Sequence, residues 1–167
     1  GVRLGNIGCV YQTLGEHERA TGLFIQSVAI AREIGDGQSE AGTLGNIGLC
    51  HQAQGQNERA IEYYTQVIDM VRAMGFKRSE GINLGNMGDA LFRLDRLDEA
   101  ETAFRQAIDV LSEAFQVGAG VFQGSLARLL AQRGQAEEAQ SLIETGEILV
   151  SPHPEEHAKF LAKKGHV

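Results

Sequence analysis

The 167-residue chain has no tryptophan, two prolines and two cysteines, and 6% of its residues are aromatic. It also lacks an excess of positive charge. The net charge of −7 argues against nucleic acid as a partner, because phosphate binding rests on clustered Lys and Arg. No apolar run is long enough to span a bilayer, and no secretory signal is present, so no membrane partner is expected. Cys9 and Cys50 are too few for a disulfide framework, and they read as free thiols in a reducing compartment, which makes a cytoplasmic location the expectation. No nucleophile–base set can be read from the sequence, and neither an enzyme activity nor a cofactor is expected.

What the chain does have is glycine and repetition. Its 43% apolar and 22% charged residues suit an ordinary soluble globular protein of one or two domains. The 21 glycines are nearly twice the average usage of about 7%. The motif LGNIG occupies Leu4–Gly8, recurs at Leu44–Gly48 and returns as LGNMG at Leu84–Gly88, a period of 40 residues. Ala20, Ala60, Ala100 and Ala139 are equivalent in this frame, as are Phe24, Tyr64, Phe104 and Ile143, with a slip of one residue in the fourth copy. Each copy reads as two helices. Leu4, Ile7, Tyr11 and Leu14 form one apolar stripe, and Ala20, Phe24, Val28 and Ala31 form the next. Gly15 supplies a stop between them, and Asp36 an N-cap for the following copy. Helices are expected over 1–14, 17–34, 37–54, 57–74, 78–94, 97–116, 119–133, 136–149 and 154–164. A hairpin of this kind cannot bury both stripes alone, but stacked copies can, which predicts an all-α solenoid of antiparallel helix pairs.

The frame resembles the tetratricopeptide repeat family. It falls on Leu4, Ile7-Gly8, Tyr11, Ala20, Phe24 and Ser27, on Leu44, Ile47-Gly48, His51, Ala60, Tyr64 and Val67, and on Leu84, Met87-Gly88, Leu91, Ala100, Phe104 and Ala107. The fourth copy is weaker: Leu126-Ala127, Leu130, Ala139, Ile143 and Gly146. The family's usual period is about 34 residues. The longer form here is similar to the repeats of kinesin light chain, of LGN/Pins polarity scaffolds and of arrays on bacterial signalling proteins. The resemblance implies a right-handed superhelix forming one array over 1–167, with repeats at about 1–36, 37–76, 77–117 and 118–152 and a partial fifth at 153–167. The sequence opens inside a repeat without Met, so a fragment of a longer protein is expected.

Gly8, Gly48 and Gly88 are expected where the two helices of a hairpin press together. Gly5, Gly45 and Gly85 lie away from the apolar stripe, so packing within the hairpin does not explain them. The face opposite the stripe gathers frame positions 2, 5, 6, 9, 12 and 13 within about 120°. In the tetratricopeptide family this face lines a peptide-binding groove. The resemblance therefore assigns to a groove Gly5, Asn6, Cys9 and Gln12, then Gly45, Asn46, Leu49 and Gln52, then Gly85, Asn86, Asp89, Phe92 and Arg93, and then Gly124, Ser125 and Arg128. Cys50 is placed at the groove's edge. Asn6, Asn46 and Asn86 form a ladder whose amides suit the backbone of an extended peptide. Two readings stay open, peptide capture and a brace between neighbouring repeats. Arg93 and Arg128 suit a carboxylate, unless Asp89, one turn from Arg93, already pairs with it. The expected partner is thus a peptide or protein; the alternative is homo-oligomerisation through the terminal repeats.

One stretch imitates a zinc-protease motif. His153–His157 reads H-x-x-E-H, yet Pro154 suits the first helical position and leaves His153 outside the helix. His166, beyond Gly165, offers no third ligand. His51 replaces an aromatic and is expected to be a hydrogen-bonded core residue.

Overall fold

The computed structural model describes residues 1–165, and among these the regular structure is entirely α-helical. The helices form two compact units, one over Gly1–Phe76 and one beginning at Lys77. The first holds α1 (Val2–Thr13), α2 (His17–Glu33), α3 (Gly37–Ala53) and α4 (Asn57–Ala73). The second holds α5 (Lys77–Arg93), α6 (Leu97–Ala114), α7 (Gln116–Gln132), α8 (Ala136–Val150) and α9 (Pro154–Lys164). Their ends lie within three residues of those expected from the sequence. His166, considered above as a metal ligand, lies outside the described residues.

Each hairpin turn follows from local chemistry. Gly15 adopts φ +78 at the end of α1, a conformation that costs a Cβ-bearing residue roughly 1 kcal/mol. Its N–H donates to Gln12 O, and the Glu16 N–H to Tyr11 O. The last turn of α1 is closed by this pair of bonds, a Schellman motif. Gly55 and Gly134 repeat the arrangement, and Asp95, at φ 58, replaces the glycine in the third copy. Asp36 caps α3 by accepting from the Ser39 N–H at 3.0 Å. Hydrogen bonding from the Ser39 side chain, and then from this backbone N–H, holds the carboxyl below its ordinary pKa.

The hairpins close on a glycine–aromatic notch. A Cβ on Gly8 would lie 2.6 Å from the Phe24 ring, on Gly48 2.7 Å from Tyr64, and on Gly88 2.7 Å from Phe104. These contacts are shorter than carbon atoms allow, so the glycines let fully buried rings lie on the backbone. The loss of dispersion that a wider spacing would bring outweighs the helix propensity given up, about 1 kcal/mol per glycine. In the first unit α3 rests on α2 as well as on α4. Ala20, Phe24, Val28, Ile47, Cys50, Val67 and Val71 form one core there. In the second unit α7 likewise rests on α6 and α8.

Two placements differ from the wheel-based expectation. Gly85 is buried, and a Cβ on it would lie 2.3 Å from the ring of Phe122 on α7. Cys50, expected at the edge of a groove, is 0% exposed in the core. Its face of α3 packs against α2, and burial pushes the thiol up from its ordinary pKa. The single wheel could not show this, because it orients a helix only toward its own hairpin partner. The ninth helix also departs from the pattern of α3 and α7. It packs chiefly on α7 and only lightly on α8.

Candidate functional site

In the first unit, α1 and α3 present the residues that the sequence reading assigned to a groove. Asn6 and Cys9 are exposed, and Gly5, Gln12, Gly45, Asn46 and Gln52 are half-buried. Leu49 is exposed beside them. The Asn46 amide donates to the Cys9 thiol at 3.7 Å, a long and weak contact compared with an amide–carbonyl bond. Gln52 accepts from the Tyr64 hydroxyl at 2.8 Å and is therefore tied to its own hairpin. Around Gly5 there is room: a Cβ there would meet only the Ser27 hydroxyl, at 3.5 Å.

The corresponding face of the second unit is built differently. Asn86 and Phe92 are half-buried and Arg93 is exposed, but Ser125 is only 1% exposed and donates to Asp89 at 3.0 Å. Asp89 also receives the ammonium of Lys163 from α9. The expected pairing of Asp89 with Arg93 is thus replaced, because α9 brings a cation that α5 alone could not reveal. Nor do Arg93 and Arg128 form a carboxylate clamp. The Arg128 guanidinium lies over the Phe92 ring at 4.5 Å, which orients it by cation–π attraction. Gly85 is closed off beneath Phe122 and lines no open surface.

Sequence reasoning missed Lys163, Phe122 and an outer cleft. That cleft, about 660 Å³, is lined by Ile25, Val28 and Arg32 of α2, by His51 of α3, and by Arg59 and Tyr63 of α4. His51 stacks on Tyr63 with ring centroids 5.3 Å apart, and its Nδ1–H donates to Gln56 Oε1 at 2.7 Å. This is the hydrogen-bonded histidine expected, though half-buried rather than enclosed. The sequence signal for Lys163 was faint: Phe160 and Lys163 share a face of α9, outside the repeat frame.

The zinc-like stretch is a helix start. His153 is the N-cap at φ −121, Pro154 opens α9, and His157 Nε2 lies 3.7 Å from Glu147. Among the described residues no group of three His, Cys, Asp or Glu is placed to hold a metal ion. No helix among them is long and apolar enough to cross a membrane.

With this geometry in hand, the chain can be set beside known proteins. Tetratricopeptide repeat models match residues 4–73, 83–110 and 120–145. No curated protein sequence matches the chain. Among solved structures, a Rap protein complexed with competence and sporulation factor superposes with a TM-score of 0.84 at 16% identity, covering 94% of this chain and 45% of that one. The apo form of RapI gives 0.82 at 13% identity, over 94% and 58%. The chain thus spans about half the length of these two proteins. The nearly identical TPR-like repeats of a putative kinesin light chain from Podosopora anserina give 0.74 at 22% identity, over 97% and 83%. At such identities the likeness is one of fold. That fold is an α-helical repeat solenoid, generally a non-catalytic scaffold for protein–protein interaction. On these matches the chain belongs to the tetratricopeptide repeat family.

Proposed function

We propose that the protein is a scaffold or regulatory domain that captures an extended segment of a partner protein on the inner faces of its first helices. The observation that carries this reading is the state of the asparagines. Asn46 spends its amide donor only on a thiol at 3.7 Å, and Asn6 stands exposed on α1. Bonds this weak contribute little as braces, whereas a peptide backbone would offer each amide a carbonyl and an N–H. A row of such groups beside Gly5 and Gly45 lets a backbone approach closely. The Rap protein solved with competence and sporulation factor supports ligand capture by a fold of this kind.

Replacing Asn6, Asn46 and Asn86 together with Ala tests the proposal. A partner isolated from the source cell should bind the triple variant about ten- to a thousandfold more weakly in titration calorimetry. Each lost bond is worth about 0.5–1.5 kcal/mol. A variant that melts early yet binds normally would assign the ladder to bracing instead.

A second reading rests on α1. Ile7 and Val10 are 47% and 58% exposed, while their repeat equivalents Ile47 and Cys50 are 1% and 0% exposed beneath α2. The outer face of α1 therefore has the composition of a buried one, and it suits pairing with a second copy. Sedimentation of Ile7→Asp beside the parent chain decides between a self-associating and a monomeric protein.

A further inference from the structure

We infer that the inner face of the second unit is a docking site for a helical segment carrying an aromatic residue and, three positions later, a lysine, and that α9 is its resident occupant. The inference deepens the proposed capture of partner segments by naming a ligand chemistry for one face. It starts from a packing anomaly. Both α3 and α7 lean on the second helix of the hairpin before them, whereas α9 leans chiefly on α7 and less on α8. It thereby lays Phe160 over Gly124 and brings Gly165 beside Arg128, on the face that the repeat frame leaves free.

Two side chains anchor α9. Phe160 is fully buried in a notch between two glycines, where a Cβ on Gly124 would come within 3.0 Å of its ring and one on Gly146 within 2.8 Å. One turn further on, Lys163 places its ammonium against Asp89, and 4.4 Å from the centroid of the Phe122 ring. Asp89 is held from the other side by the buried Ser125 hydroxyl. A carboxylate fixed by a hydroxyl and flanked by an aromatic face is a receptor for a primary ammonium. All the receptor groups, Asp89, Phe122, Gly124, Ser125 and Gly146, belong to α5, α7 and α8. None comes from α9, so the site is complete without its occupant. Outside these anchors the ion pairs of α9 are an exposed one within the helix, Lys159 with Glu155, and the half-buried His157 and Lys164 beside Glu147 at 3.7 and 4.0 Å. Such contacts add little in water. A partner segment with the same two anchors competes for the same receptor.

The test uses the full chain carrying Phe160→Ala and Lys163→Gln, which removes both anchors and leaves the receptor intact. The probe is a fluorescent synthetic peptide spanning residues 154–165. It should bind this variant, and bind the parent chain on the order of a hundredfold more weakly, because the tethered α9 competes at high effective concentration. Adding Asp89→Asn to the variant should weaken binding about tenfold or more, as should norleucine in place of the peptide's second anchor. Circular dichroism checks that the remaining helices are retained. If the double change prevents folding, Lys163→Gln alone serves, with a smaller gain over the parent chain expected. Peptide binding that is absent, or that ignores both Asp89 and the lysine, overturns the inference. Concentration-dependent dimers of the parent chain that Lys163→Gln dissolves also overturn it, since they assign the site to a second copy's α9. The asparagine test reads different side chains, so either idea can fail while the other stands.

Discussion

The two units use one hairpin frame but treat their surfaces in opposite ways. On the outer side of the second unit, Arg105 bridges Glu101 and Glu138 at 2.9 and 2.8 Å. Arg133 bonds Asp98, and Glu101 at 2.7 Å. In the first unit the frame equivalents of Arg105 and Glu138 are Ile25 and Arg59, no ion pair joins them, and a cleft stays open. The inner side shows the same contrast. Asn6, Cys9 and Asn46 lie exposed or half-buried on the first unit, while α9 and Phe122 fill the second. The repeat preserves only what the hairpin needs to close. Positions outside the shared stripe are free to stay open in one unit and to be packed over in the other.

The sharpest way to break this comparison is at frame position 5. Gly85→Ala drives a methyl into the Phe122 ring and should lower stability by about 1–3 kcal/mol, the penalty of overpacking. Gly5→Ala has only the Ser27 hydroxyl nearby, at van der Waals distance. It should be neutral or stabilise by up to about 1 kcal/mol, since alanine favours the helix. Thermal melts of the two variants check the contrast, and equal losses would erase the difference between the inner faces.

A smaller effect concerns the outer clasp. Arg105→Ala should destabilise by about 0.2–1 kcal/mol, because its partners are partly exposed and the pairs are screened. The loss should shrink in high salt. Importing the clasp into the first unit with Ile25→Arg and Arg59→Glu should stabilise by a few tenths of a kcal/mol. Denaturant midpoints with and without added salt measure both.

The smallest effect is the cap on α3. Hydrogen bonding from the Ser39 side chain, and then from its backbone N–H, depresses the Asp36 carboxyl. Its contribution is therefore fully present above the ordinary carboxylate pKa and is lost as pH falls through the depressed value. Asp36→Asn keeps an acceptor without the charge. Its melting temperature should sit slightly below the parent's near neutrality and converge with it in acid. A gap that widens on acidification would contradict the assignment.

The local architecture was legible in the sequence because it depends on short-range periodicity. The place of Gly8 in the seam of its hairpin followed from that period, and the Gly15 turn, the Asp36 cap and Pro154 at the start of α9 followed from residue type. All of these are contacts within one hairpin or one turn, where 3.6 residues per turn fixes who meets whom. A first helix in a stacked array has further neighbours, and the wheel of a single hairpin leaves those faces unassigned. That is why Cys50 looked like a groove edge yet is packed against α2, and why Gly85 looked open yet receives Phe122. Lys163 was further out of reach, since it lies outside the frame that the four copies share. The course of α9 across α7 is decided by where one aromatic ring and one ammonium find a notch and a carboxylate. The sequence by itself determined the helices, their turns and the family. The tertiary structure alone decided which faces remained available to a partner, because burial between non-adjacent helices depends on side-chain volumes brought together only in the folded chain.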